Sequence, residues 1–433
     1  MKFYLTLILP CLGLLYNCGN TRPAGIMNES KTIYWNLKSP LDLQLPQNAP
    51  AETVRAYLTA GPGRLQLKTS VIRIKPDKFM LECLPPEYLP SNTGPFKLEL
   101  DYMPYDSSGR QSEERLPLII SSNAPALNVI RTSPYIVRGG SAAVLFRADD
   151  ACPRQAYVES RDGDRFYAQE YGTNGRYLCF FAWPVYSPEP TMKLIAIDKA
   201  GNSTTNDLRI PAREKKYQRS KVSLGDTFTK DKLEEVSGGS TNVQGTDKEQ
   251  YNLLMQGFRE KKAIDIIDET TRPLEGRIPT FDWKPFVALA GSRITSGFGN
   301  YRYYYIKDRT MKGSYHLGLD LAKVKKSPIR CPNSGIVAFS GYNGANGNML
   351  LIHHGFGVYT LYAHCSRLLV QKGEAVEAGR IVAYTGQTGY ATGDHLHFSV
   401  ILQGRYVDPG EWMSPEWLWE NVLNVCQVHS NLR

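Results

Sequence analysis

The sequence predicts a mostly β protein: immunoglobulin-like β-sandwich modules at the N-terminal end, then a helical connector, then a C-terminal antiparallel β-sheet domain. Three observations predict it. Short apolar runs recur along the chain, broken by Gly and Pro turns. Tyrosine is abundant, 26 residues against 15 Phe, and favours strands. Helical spacing is clear only near residue 250 and at the C-terminal end. A chain of 433 residues exceeds one ordinary core, so several domains are expected.

Residues 1–18 read as an export signal. Lys2 opens it, and residues 3–16 are apolar but too short to span a bilayer. Leu15-Tyr16-Asn17-Cys18 resembles a bacterial lipobox, in which Cys18 would carry a lipid anchor to the membrane. Tyr16 and Asn17 are bulkier than is usual there, so an ordinary signal cut slightly later stays open. Of eight Cys, losing Cys11 with the signal and lipidating Cys18 leaves six, an even number. In an exported protein these can pair, and Cys152 with Cys179 and Cys331 with Cys365 are the candidates by grouping.

Residues 19–30 read as a tether and 31–125 as a β module, with strands such as Leu65-Gln66-Leu67 and 96–100. Residues 126–212 repeat the pattern at 143–146, 177–181 and 192–198. The turn Asp198-Lys199-Ala200-Gly201-Asn202 resembles a strand-turn signature of bacterial immunoglobulin-like modules, so this stretch is expected to be one β-sandwich. Residues 213–282 read as linker and helical connector. Ser237-Gly238-Gly239-Ser240 is a flexible composition, and Thr246 with Glu249 has capping-box spacing before a helix at 247–268. Such a charged helix is expected to be a solvated spacer; a lid over a site is the alternative. Residues 283–413 show antiparallel strands at 336–339, 349–352, 358–362 and 381–384, and 414–433 reads as a closing helix and tail. The net charge of +9 suits an anionic envelope polymer or a membrane surface. No aromatic-basic motif or basic helix points to nucleic acid.

Six of the seven histidines fall between 316 and 397. In His316-Leu317-Gly318-Leu319-Asp320-Leu321, strand alternation puts His316, Gly318 and Asp320 on one face and the leucines on the other. Alone, a surface His near an Asp is the commoner explanation. In His395-Leu396-His397-Phe398 both imidazoles share a face. Two such rings on an apolar strand are costly to bury unless coordinated or hydrogen-bonded. In Tyr362-Ala363-His364, alternation puts Tyr362 and His364 on one face. Together the segments offer four imidazoles and one carboxylate, whereas a catalytic zinc takes three protein ligands and keeps a position for water.

Together, His316-x-x-x-Asp320, Leu361-Tyr362-Ala363-His364 and Thr392-Gly393-Asp394-His395-Leu396-His397-Phe398 resemble the motif set of the lysostaphin-type (LytM-like) zinc endopeptidases. The flanks agree: Ser296-Gly297-Phe298-Gly299 with Arg302, Gly347-Asn348 before His353-His354-Gly355, and Val407-Asp408-Pro409. The resemblance covers residues 285–413 and implies a metallopeptidase domain that binds Zn2+ through His316, Asp320 and His397. It implies that His364 and His395 are catalytic, with His395 as general base and His364 orienting water or an oxyanion. The implied reaction is hydrolysis of peptide bonds in bacterial peptidoglycan cross-links or stems, in the periplasm or envelope. A wall-binding regulator of another hydrolase, or an endopeptidase on a Gly-rich protein, are the alternatives. Cys365, Asp394 and Ser399 depart from the family pattern, and Asp394 is expected to raise the pKa of His395. His354 is expected to be structural. A tyrosine that assists catalysis would be Tyr303, Tyr304, Tyr305 or Tyr315.

Overall fold

The computed structural model describes residues 32–45, 54–75, 78–90, 95–102, 112–149, 153–172, 175–223, 261–271, 283–306, 309–310 and 313–426. The export signal and Cys18 lie outside them, as do Cys152, His429 and residues 224–260. The chain divides into two compact units, Met1–Ala124 with Lys199–Asn202, and Pro125–Asp198 with Ser203–Arg433.

In the first unit a five-stranded sheet runs Ile33–Trp35, Ser112–Ile120, Phe96–Tyr102, Arg55–Ala60, Gly63–Gln66. A three-stranded sheet runs Leu41–Gln44, Lys78–Cys83, Thr69–Lys75. Trp35, Leu58, Leu81 and Leu98 close a core between them.

The second unit opens with two four-stranded antiparallel sheets that share a core. One carries Ser141–Asp149 and Arg176–Ala182, the other Pro153–Ser160 and Met192–Asp198. Val144, Phe146 and Phe180 of the first meet Val158, Phe166 and Leu194 of the second. Inward apolar positions every second residue explain this packing. The same core continues without a break into the C-terminal domain. Phe180 packs 5.5 Å from Trp283 and 6.1 Å from Trp412, ring centre to ring centre. Gln403 bonds the backbone of Tyr167 in both directions, and the half-buried carboxylate of Glu411 accepts from the Ser141 backbone N–H.

Within the stretch after 212, residues 219–223 do not act as plain linker. Arg219–Ser223 pairs in parallel with Tyr301–Ile306. Of the connector helix, Lys261–Thr271 is described, three residues beyond the expected end, and residues 247–260 lie outside the described residues. It buries Ile267 against Met349, Leu351, Tyr359, Leu361, Ala363 and Ile401. A helix with one apolar stripe stays on a sheet for that reason, so the solvated-spacer expectation is corrected.

The C-terminal domain is built on an eight-stranded antiparallel sheet. Its order is Arg293–Ser296, Leu319–Ala322, Leu396–Leu402, Val358–Cys365, Asn348–His353, Gly335–Tyr342, Ala375–Val376, with Arg405–Val407 also on Leu396–Leu402. In place of one closing helix there are Pro409–Met413, Pro415–Leu418 and a π turn at Trp419–Leu423, because Pro415 restarts the chain under a Ser414 cap. The expected Cys331–Cys365 bridge is absent, and Cys179 is also a free thiol. Cys331 instead donates to the Asn333 carbonyl at 2.9 Å inside the core.

Candidate metal centre

Three neighbouring strands bring the site together. Asp320 pairs with His397 and His397 with Ala363, and directly paired residues of an antiparallel sheet share a face. Leu319, Leu321, Leu396 and Phe398 go to the opposite face and into the core, as their alternation requires. His316 is placed differently from the sequence reading. The strand begins at Leu319, and His316 is held instead by backbone bonds to Asn300 and Gly299. His364 also breaks the alternation. Tyr362 faces the core beside Phe398, while the left-handed backbone of His364 (φ 62°) turns its ring to the other face. That conformation is costly for a non-Gly residue and concentrates at functional positions.

The outcome is a triangle of ligand atoms. His316 Nε2 lies 2.9 Å from Asp320 Oδ1 and 3.0 Å from His397 Nδ1, which is itself 3.0 Å from Asp320 Oδ1. These three residues could hold a metal ion. Ligands about 2.0–2.2 Å from a tetrahedral zinc stand about 3.3–3.6 Å apart, so small outward movements fit one. The hydrogen bonds argue the same way. His316 Nδ1 lies 2.9 Å from the Gly297 carbonyl, which only accepts, so Nδ1 carries the proton. Its Nε2 lone pair then faces a carboxylate oxygen, an arrangement that calls for a cation. His364 Nδ1 donates to the Thr388 carbonyl and His395 Nδ1 to the Gly393 carbonyl, both at 2.8 Å. Each therefore presents Nε2 as a base. The rings of His364 and His395 are 4.9 Å apart, and His395 Nε2 is 3.6 Å from Asp320 Oδ1. Gly318 leaves the space for this cluster: a Cβ there would stand 2.6 Å from His397 Nε2 and 2.6 Å from Ser399 Oγ.

The stretch from 314 to 409 matches the sequence profile of Peptidase family M23. This part of the chain is an M23 domain. Among curated proteins, the chain is 37% identical over 167 residues to "DD-carboxypeptidase/endopeptidase Mpg" of Neisseria meningitidis, covering 39% of this chain and 37% of that protein. It is 34% identical over 116 residues to "Peptidoglycan DD-endopeptidase ShyA" of Vibrio cholerae, covering 27% of this chain and 26% of that one. The chain thus spans well under half the length of either relative. Among solved structures, the catalytic domain of lysostaphin from Staphylococcus simulans is 26% identical over 28% of this chain and 92% of its own, with a TM-score of 0.25.

Electrostatics within the M23 domain separate the histidines. Burial would raise Asp320, but the close imidazoles of His316, His395 and His397 outweigh it and hold the carboxyl far below its ordinary range. Burial lowers His395, yet the neighbouring Asp320 carboxylate outweighs it, so His395 is raised. Asp394 is not the cause. Its carboxylate accepts from Thr385 Oγ1 at 2.6 Å and the Lys326 backbone at 3.2 Å, stapling two loops, which corrects the sequence expectation. Burial first, then the neighbouring His395 and His397, pushes His364 well below its ordinary value. Burial also lowers His397 to about 4.

Among the residues that depart from the family pattern, Ser399 is fully buried with its hydroxyl 3.1 Å from His397 Nε2. Cys365 is a buried thiol pushed up to about 12 by burial. His354 is structural: Nδ1 donates to the Ser334 carbonyl at 3.0 Å and Nε2 meets Thr360 Oγ1 at 2.7 Å. Of the candidate tyrosines, Tyr315 packs against Tyr301, as does Tyr303, and Tyr304 packs against Tyr390. Sequence reasoning gave no role to Arg302, whose Nη2 donates to Asp320 Oδ2 and to Ser296 Oγ, both at 2.7 Å. Only the fold reveals that contact.

Proposed function

We propose that this chain is a zinc-dependent endopeptidase that hydrolyses peptide bonds of bacterial peptidoglycan. The observation that carries the proposal is the convergence of three ligand atoms beside two imidazoles that present Nε2 as base. His316, Asp320 and His397 would hold the ion through Nε2, Oδ1 and Nδ1. Bound there, zinc supplies Lewis acidity toward the scissile carbonyl and lowers the pKa of its water to about 7. His395 takes the proton of the attacking water on Nε2 and returns it to the leaving amine. Its Nδ1 bond to the Gly393 carbonyl fixes the ring and its tautomer for that transfer. His364, fixed in the same way by Thr388, orients the attacking water through Nε2. No side-chain nucleophile is needed.

The names of the two curated relatives favour a DD-peptide cross-link as the bond cut. A +9 chain favours an anionic wall. The apolar leader at residues 3–16 favours export to the envelope, with Cys18 as the point of a lipid anchor. The test is mass analysis of muropeptides after digestion of purified wall by the wild type and by His395→Ala. The wild type is expected to open cross-links and the variant to lose at least about a hundredfold in rate. Intact wall after incubation with zinc-loaded wild type would instead favour a non-catalytic regulator.

A further inference from the structure

Asp320 has two carboxylate oxygens, and the structure uses them differently. Oδ1 points into the imidazole triangle, 2.9 Å from His316 Nε2 and 3.0 Å from His397 Nδ1. Oδ2 points away and accepts from Arg302 Nη2 at 2.7 Å. The same nitrogen donates to Ser296 Oγ at 2.7 Å, and Ser296 pairs directly with Asp320 across the sheet. The Arg302 and Asp320 side chains are 21% and 13% exposed, so water does little to screen the pair.

Arg302 itself is fixed from outside the histidine strands. It lies on Tyr301–Ile306, whose backbone pairs in parallel with Arg219–Ser223, setting Ser220 beside Arg302. Ser220 Oγ also meets Asn300 Oδ1 at 3.2 Å, and the Asn300 carbonyl receives the His316 backbone N–H at 2.9 Å. The strand that follows the sandwich therefore supports the arginine on Asp320 and the backbone of His316 together.

We infer that Arg302 is a positioning residue: by occupying Oδ2 it restricts Asp320 to a single oxygen toward the metal and so keeps the ion four-coordinate. This rests on the zinc-peptidase reading above. A carboxylate with both oxygens free can bind a cation through one or both. A guanidinium on one of them removes the second mode and leaves a coordination position for water. Partners of ligating carboxylates also tune affinity, and their loss costs roughly 10–100-fold in metal binding. Arginine suits this role because its charge is permanent and its donors are rigidly directed.

The experiment uses the full chain as wild type, Arg302→Gln and Arg302→Lys. Zinc affinity is measured by competition with a chromophoric chelator, and the visible spectrum is recorded with Co2+ in place of zinc. Wild type is expected to give the intense absorption of four-coordinate cobalt. Arg302→Gln is expected to bind zinc roughly 10–100-fold more weakly and to show the weaker bands of a five-coordinate ion. Arg302→Lys, which keeps the charge but only one donor nitrogen, is expected to recover part of both. If Arg302→Gln keeps zinc affinity within twofold and an unchanged cobalt spectrum, the positioning role falls and the peptidase reading stands. If the apoprotein of Arg302→Gln melts lower with that same spectrum, Arg302 is a structural ion pair only and the proposal is overturned. A wild type that binds neither metal overturns both readings.

Discussion

Gly318→Ala tests the packing of the centre without removing any ligand. Backbone strain is not involved, because Gly318 is not among the glycines with positive φ. Space is the whole effect. The added Cβ would meet His397 Nε2 at 2.6 Å, Ser399 Oγ at 2.6 Å and His397 Cε1 at 2.7 Å. Ordinary carbon contacts begin near 3.5 Å, so the His397 ring must retreat by roughly 0.8–0.9 Å or the 316–320 segment must lift away. Metal sites tolerate about 0.2 Å in ligand position. Overpacking of this kind costs about 1–3 kcal/mol. Charged to metal binding, that is roughly a 5- to 150-fold weaker zinc Kd. The assay is chelator competition on the full chain, with peptidoglycan hydrolysis measured in parallel. Gly341→Ala serves as the control, since its Cβ would meet only Phe339 at 3.5 Å or beyond. Zinc affinity and hydrolysis within twofold of wild type in Gly318→Ala would refute the reasoning, because His397 would then not sit where its contacts place it.

Two further predictions concern protons. His353 and His354 are both buried and neutral, each lowered to about 4 by burial. The unfolded chain binds protons on them below about pH 6.5, whereas the folded chain does not until about pH 4. Their contribution is therefore complete above pH 6.5 and is lost on acidification between those values, by at most about 1.4 kcal/mol per pH unit for each. Urea unfolding of the apoprotein at pH 7 and pH 5 should show that loss, and a His353→Gln/His354→Gln variant should show a shallower one; equal slopes would contradict the account. Asp394 bonds Thr385 and Lys326 rather than His395, so Asp394→Asn should leave the acidic limb of the pH–rate profile in place. A shift of that limb by half a pH unit or more would return Asp394 to the role expected for it beside His395.

The sequence pointed to residues that the fold brings together, and less well to how they reach that place. The faces of Asp320 and His397 followed from period-two alternation, because both lie within regular strands. His316 and His364 reach the same place by other means, one through backbone pairing with residues 299–300 and one through a left-handed φ. Neither is visible in a pattern of apolar residues. Arg302 stood out only as part of a motif, since its contact with Asp320 joins two strands of different sheets. The mostly β class and many strand positions were legible from local runs. The join between the sandwich and the M23 domain was not. It depends on Phe180, Trp283 and Trp412, which are far apart in sequence and aromatic in any core. The Cys331–Cys365 pairing failed for a similar reason: parity and spacing count sulfurs but not directions, and both thiols are accommodated singly in the core. The Lys261–Thr271 helix carries the same lesson. Its charge suggested solvent, yet Ile267 docks it on the sheet face that Ala363 and His397 share.

The most direct measurement is anomalous diffraction at the zinc absorption edge, from crystals of the full chain grown with equimolar zinc. A single peak bonded by positions 316, 320 and 397, with 364 and 395 beside it and not on it, is the expected result. A peak held by any other set of side chains, or none at that place, would contradict the account.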